Sequence, residues 1–468
     1  MAALRRALKS PPGWVPRCAV AVSLLAAAAS GAATVGELYE EGRAALAAGR
    51  AGDAAARFED ALRLDATNWP SWNGLGLARA AQGKDADARA AFERAADLAP
   101  GEYDPWFNLG KACFDASAWG PAAAAYEKAA ALRVGDAAAW FGLGAARCRE
   151  GRPKEGAEAL ARAAALRGDD VTYWRALGEA EAAAGDGAAA AAALTRAIEL
   201  GAEDDAGVWV NLGTVKKGLQ DYAGAAAAYA RARSLAPDDA AVARALASAY
   251  FDAGEYAAAL AAGEDALSLV PGDADAVRLC ARAAEKMGDK AKAAAYYEKL
   301  GSTAGGSEDL ERSVSAYIDA GELEKAAALL SSRAAGGGRA AAVLEVKLGN
   351  ALKAKGDKDG ALAAYERGQR DDPTLYEAWY NGAQVLIGRR DYAAALAALT
   401  TACEADASRA GGWFKKAELH AALNERDAAL ASLAKAVALE PSLKEEVARS
   451  PAFVNLAADE GFRAIVGP

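Results

Sequence analysis

A chain of 468 residues would ordinarily form about three globular domains. Its hydrophobic fraction of 53% is mostly alanine, with only 2 Met, 9 Phe and 10 Trp, which excludes a large aromatic core and suits closely packed helices. A formal net charge of -10 excludes the broad basic face that a phosphate backbone needs, so no nucleic-acid partner is expected.

In chain order the first element is MAALRRALKSPPGWVPRCAVAVSLLAAAASGAAT, with Arg5, Arg6, Lys9 and Arg17, no acid before Glu37, and an uncharged run from Cys18 to Val35. Its strongly apolar part, Ala19 to Ala29, is shorter than the roughly 20 residues of a membrane span and matches the core of a secretory signal. Ala29, Ser30, Gly31 and Ala32 supply the small residues of a cleavage region. Residues 1–34 are therefore expected to be a signal peptide or N-terminal anchor that exports the chain or places it in the endomembrane system. An organelle transit peptide is the alternative, because basic and acid-free is its composition too. No later segment is long and apolar enough to span a bilayer.

From residue 35 the chain repeats. With Trp209 at position 4 of a 34-residue unit, units begin near 35, 69, 103, 137, 171, 206, 240, 274, 307, 342, 376 and 410. Position 4 is tryptophan at Trp72, Trp106, Trp140, Trp174, Trp209, Trp379 and Trp413. Position 8 is glycine at Gly42, Gly76, Gly110, Gly144, Gly178, Gly213 and Gly349, and position 20 is alanine in almost every unit. These are the places where two helices approach too closely for a larger side chain. Position 24 is large and apolar, as at Phe58, Phe92, Tyr126, Leu160 and Tyr229, and fills the groove toward the next unit. Position 15 is commonly glycine, from Gly49 to Gly356, where a left-handed residue ends the first helix. Pro100, Pro237, Pro271, Pro373 and Pro441 at position 32 stop the second. Each unit is a helical hairpin whose surplus apolar face is buried only by stacking on its neighbours.

This pattern, over residues 35 to 443, resembles the tetratricopeptide repeat family. The resemblance implies an all-α, right-handed superhelical solenoid of about twelve hairpins, with first helices lining a concave groove for peptides or partner proteins. Residues 35–300 form one array of about eight repeats and 342–443 another of three. Between them, 301–341 is a divergent repeat, with Leu310 in place of the tryptophan and Gly-rich flanks, read as a hinge or as a degenerate repeat in a rigid array. The tail, 444–468, has amphipathic stretches at Lys444–Arg449 and Pro451–Ala457 that are expected to cap the last hairpin.

Catalysis needs a convergent set of side chains that this sequence does not offer. The single histidine, His420, stands at an expected packing position. Cys18, Cys113, Cys148, Cys280 and Cys403 are too scattered for a zinc ribbon or a redox pair, and no phosphate-binding loop is present. No enzyme activity, cofactor or metal is expected.

The groove is the candidate site. Position 6 faces it in the family, and here it is asparagine at Asn108, Asn211 and Asn381, whose amides could donate to and accept from a peptide backbone as a ladder does in the O-linked N-acetylglucosamine transferase repeats. The ladder is interrupted by Gly74, Gly142, Ala176 and Ala245. A second comparison is the carboxylate clamp of chaperone-binding members. Asn350 and Asn381 fall on its asparagine positions and Lys415 on its arginine position, but Val346 and Gly411 replace its lysines and remove most of the charge-assisted bonds. The expected function is a non-enzymatic scaffold for a protein or peptide ligand. Its rivals are a substrate-recruiting arm of an enzyme complex, such as an O-linked glycosyltransferase, and a self-assembling structural factor; the sequence names neither a partner nor an oligomeric state.

Overall fold

The computed structural model describes residues 33–303, 307–332 and 338–467. The expected targeting segment, apart from Ala33 and Thr34, lies outside the described residues, as does Cys18. The described chain is helical, without a strand among the described residues, and divides at Ala236 and Pro237 into two compact units, each a stack of antiparallel helical hairpins.

In the first unit, first helices such as Trp69–Ala81, Tyr103–Asp115 and Ala137–Arg149 pair with second helices Asp85–Leu98, Trp119–Leu132 and Pro153–Leu166. Their starts are fixed by side-chain caps. Thr34 and Glu37 form a reciprocal capping box, and Asn68, Asp136, Asp170 and Asp205 each accept a main-chain N–H from the first turn that follows.

Within a hairpin the contact predicted at positions 8, 20 and 24 is direct. A Cβ added at Gly76 would lie 2.5 Å from the Phe92 ring, one at Gly110 2.8 Å from Tyr126, and one at Gly213 2.8 Å from Tyr229. Position 24 therefore rests on the backbone of its own first helix. It also reaches the next unit where position 6 is glycine, since a Cβ at Gly74 would meet Phe58 and one at Gly142 would meet Tyr126, both at 2.6 Å. The position-20 alanines Ala54, Ala122, Ala190 and Ala225 are fully buried. The fourth hairpin has glycine at both contact points, and Cβ atoms there would strike main chain: Gly144 against the Gly156 carbonyl at 2.8 Å and Gly156 against the Gly144 carbonyl at 2.9 Å.

The tryptophans tie the hairpins that carry them to the loop before. Every position-4 indole donates to the main-chain carbonyl six residues back, Trp72 to Ala66 (2.9 Å), Trp106 to Pro100 (3.1 Å), Trp140 to Val134 (2.9 Å), Trp174 to Gly168 (3.0 Å) and Trp209 to Glu203 (2.9 Å). The unit beginning at 171 carries one extra residue. It is absorbed as a π-helical turn, Ile198–Ala202, with Gly201 at φ 120, so the Trp209 bond survives.

The second unit is built alike, with Trp379 donating to Pro373 (2.9 Å) and Trp413 to Ala407 (3.1 Å). Its divergent hairpin is Ser307–Ala320 and the short Leu323–Ser331, followed by a long first helix, Gly338–Ala354. Val314, Tyr317, Leu323 and Leu330 share one core cluster with Ala294 before them and Leu344 and Leu348 after. Where the next repeat should have its tryptophan stands Glu345, 2% exposed and gripped by both arms of Arg367 at 2.8 and 2.9 Å. The tail folds as Leu443–Arg449, a 3-10 turn Pro451–Leu456 and a further helix, Glu460–Val466, that the sequence pattern does not announce. Phe453 is 1% exposed and packs between Phe414 of the last first helix and Phe462, so the tail caps the array.

Position 15 adopts the left-handed conformation throughout. Gly49, Gly83, Gly151, Gly185, Gly254, Gly288, Gly321 and Gly356 have φ from 72 to 92, and Ser117, Gln220, Arg390 and Asn424 take φ from 57 to 63 in the remaining turns. A side chain there costs about 1–2 kcal/mol relative to the right-handed helix. Ser117→Gly, Gln220→Gly and Arg390→Gly are therefore each expected to raise stability by about 0.5–1 kcal/mol, read as a higher melting temperature. In the opposite direction, Phe453→Ala is expected to cost about 3–5 kcal/mol and to make the protein self-associate, read by thermal melting and light scattering.

Candidate functional site

Consecutive first helices lie side by side in each unit, and hydrogen bonds between their position-6 and neighbouring side chains show how the row is made. In the first unit the Asn108 Nδ2 donates to Asn73 Oδ1 of the preceding repeat at 2.9 Å, and Asn211 Nδ2 to Glu179 Oε1 at 3.3 Å. In the second, Asn381 Nδ2 donates to Asn350 Oδ1 at 3.1 Å, an oxygen that also accepts the Tyr365 hydroxyl at 2.7 Å. Lys347, at position 6 of its own repeat, reaches back in the same way to Ser315 Oγ and Asp319, both at 2.7 Å. One amide hydrogen of each thus stitches a repeat to the previous one, and the second hydrogen and the Oδ1 of Asn108, Asn211 and Asn381 are left for a ligand.

The structure brings Asn350 and Asn381 together, as the clamp comparison requires. Lys415, the remaining cation of that comparison, bonds within its own helix to Glu418 at 2.6 Å, so its charge is compensated. The gaps in the ladder have a packing origin at Gly74 and Gly142, where the rings of Phe58 and Tyr126 occupy the space an asparagine would need. The partners Asn73, Glu179 and Ser315 were not singled out from sequence; their signal is a polar residue at position 5 or 9 of the preceding repeat.

Aromatic rings flank the asparagines. Phe107, beside Asn108, stacks on Tyr103 with centroids 5.4 Å apart, and Tyr380, beside Asn381, stacks on Tyr376 at 5.3 Å. Burial first, and a hydrogen bond to Asp136 second, push the Tyr103 hydroxyl up, and burial does the same to Tyr376, so both stay neutral. The row therefore combines neutral amides with the half-buried rings of Phe107 and Tyr380, a surface suited to an extended chain.

The remaining reactive side chains are engaged elsewhere. His420 Nδ1 lies 2.5 Å from Glu425 Oε2. Burial pushes up the thiols of Cys113, Cys148 and Cys403, and that of Cys280 to about 12, so none is held as a thiolate.

The tetratricopeptide-repeat models match residues 39–103, 146–205, 210–274 and 346–410, and a second such model matches 410–443. The chain belongs to the tetratricopeptide repeat family. No curated protein sequence matches it. Among solved structures it is similar to that of Naa15/Naa10 bound to HypK-THB, at 16% identity and TM-score 0.43 over 88% of this chain and 70% of that one. It is also similar to YrrB, a protein of the same repeat class with an unusual peptide-binding site, at 21% identity and TM-score 0.37 over 40% of this chain and 97% of that one. MamA from Desulfovibrio magneticus RS-1 is a third, at 22% identity and TM-score 0.34 over 37% of this chain and 98% of that one.

If the asparagines stitch repeats, Asn73→Ala and Asn108→Ala should each destabilise by about 1 kcal/mol, and the double variant by little more than either alone. A double-mutant cycle from denaturant titrations measures that coupling.

Proposed function

We propose that the protein is a non-enzymatic interaction scaffold that binds an extended peptide or a partner protein along its rows of first helices. The observation that carries this reading is the row itself, in which Asn108, Asn211 and Asn381 are held by their neighbours with an acceptor and one donor left and with ring faces beside two of them. Preorganised acceptors lose little freedom on binding. Family membership supports the reading, because repeats of this class act in general as interaction modules. The tail packs Phe453, Leu456 and Phe462 on the last hairpin, so that end of the array is covered, which favours a scaffold over end-to-end self-assembly. Export through residues 1–34 belongs to the same proposal and rests on their composition.

The test is an affinity capture from the source cell with the full chain, beside a variant carrying Asn108→Ala, Asn211→Ala and Asn381→Ala, with captured proteins identified by mass spectrometry and contacts mapped by cross-linking. Partners that cross-link to first helices and are lost with the variant at unchanged helicity are the expected result. Identical partners on both baits, cross-linked to second helices or the tail, would sink the proposal.

A further inference from the structure

In the first unit two of the joints between successive hairpins are pinned at the same place. Position 11 is arginine at Arg79 and Arg147, and each guanidinium reaches a glutamate at position 25 of the preceding second helix, Arg79 to Glu59 and Arg147 to Glu127 at 3.2 Å. At the joint between Pro153–Leu166 and Val171–Ala184 the same two positions hold Ala161 and Glu181. The cation is missing and its partner position is a methyl group.

A cleft of about 360 Å³ opens there, lined among others by Lys154, Glu158, Ala161, Glu181 and Asp186. The Oε2 atom of Glu181 is shut off from solvent and has no hydrogen-bond partner. The charged groups around it are Lys154 and Glu158 on the second helix of the preceding hairpin, and Asp186 in the turn after its own helix, which caps Gly187–Ala197 through the Ala189 N–H at 3.0 Å. On the other elements packed against Val171–Ala184, Arg147 is tied to Glu127 and Glu150, Arg196 to Glu199, and Lys216 to Asp221.

We propose that Glu181 makes this joint a pH-sensitive latch, closed while the carboxyl keeps its proton and loosened once it ionises inside the cleft. Burial first, and the negative Asp186 second, raise the carboxyl from its ordinary 4.5 to about 7. The closed joint therefore binds the proton more tightly than the opened one. Its added stability is complete below pH 4.5, is lost as pH rises to about 7, and changes no further above that. Supplying the missing cation from position 25 would let Glu181 ionise in place and would remove the dependence.

Hydrogen exchange of the full chain, expressed as protection factors over residues 153–184, tests this between about pH 5 and pH 7.5. The parent is expected to lose protection at least about tenfold over that range, while Glu181→Gln and Ala161→Arg stay flat and the Arg79–Glu59 joint stays flat in all three. A flat parent, an undiminished loss in Glu181→Gln, or an equal loss at the Arg79–Glu59 joint would overturn the proposal. Loss retained in Ala161→Arg would overturn the missing-cation account on which it stands.

Discussion

The structure depends on two helices meeting where one of them has no side chain. A large residue at position 24 lies against the backbone of position 8, and the distances that a Cβ would have to accept, 2.5 Å at Gly76 and 2.6 Å at Gly144, leave no room for a methyl group. That approach sets the spacing inside each hairpin, and the buried alanines at position 20 extend it along the helices. In the fourth hairpin Gly144 and Gly156 face each other's main chain, so the contact there is with atoms that cannot rotate away. A hairpin closed this way still has an uncovered apolar side. Stacking is the consequence.

The tryptophan indoles give stacking a direction in the repeats that carry one. An apolar face alone would tolerate sliding, whereas a donor aimed at one carbonyl six residues back ties the start of such a first helix to the loop that precedes it. The extra residue of the fifth repeat shows the strength of this requirement: the helix takes up a π turn at Ile198–Ala202, and the bond is kept. The left-handed turn at position 15 is another fixed point. Ser117, Gln220, Arg390 and Asn424 adopt it despite their side chains, so the hairpin geometry, not the residue, selects the conformation.

Most of this was legible in the sequence because a repeat states each requirement many times. Glycine at Gly42, Gly76 and Gly110, in one phase with Phe58, Phe92 and Tyr126, announces a close approach before any coordinate is known. What escaped reading had no periodic mark. The indole hydrogen bond is invisible because tryptophan is also the largest apolar residue. The Glu345–Arg367 pair replaces an aromatic by a buried ion pair whose partner lies 22 residues on, and the final helix, Glu460–Val466, falls beyond the last repeat. The candidate site was half legible: position 6 pointed to Asn108, Asn211 and Asn381, but not to Asn73, Glu179 or the second role of Asn350, which depend on which neighbour the amide turns toward.

The same bonds serve stability and recognition, and this bears on what a ligand can gain. An asparagine that gives one amide hydrogen to the previous repeat keeps its second hydrogen and its Oδ1 for a peptide, so it can still meet a main-chain carbonyl and a main-chain N–H while its position is fixed from behind. Each joint, meanwhile, is built from small contacts, because buried alanine contributes about one methyl group at roughly 0.8 kcal/mol. In an array whose stability is a sum of such neighbour terms, one uncompensated carboxylate is comparable with the interface it sits in. Polar side chains therefore decide locally how firmly successive hairpins hold, even though apolar packing decides that they stack at all.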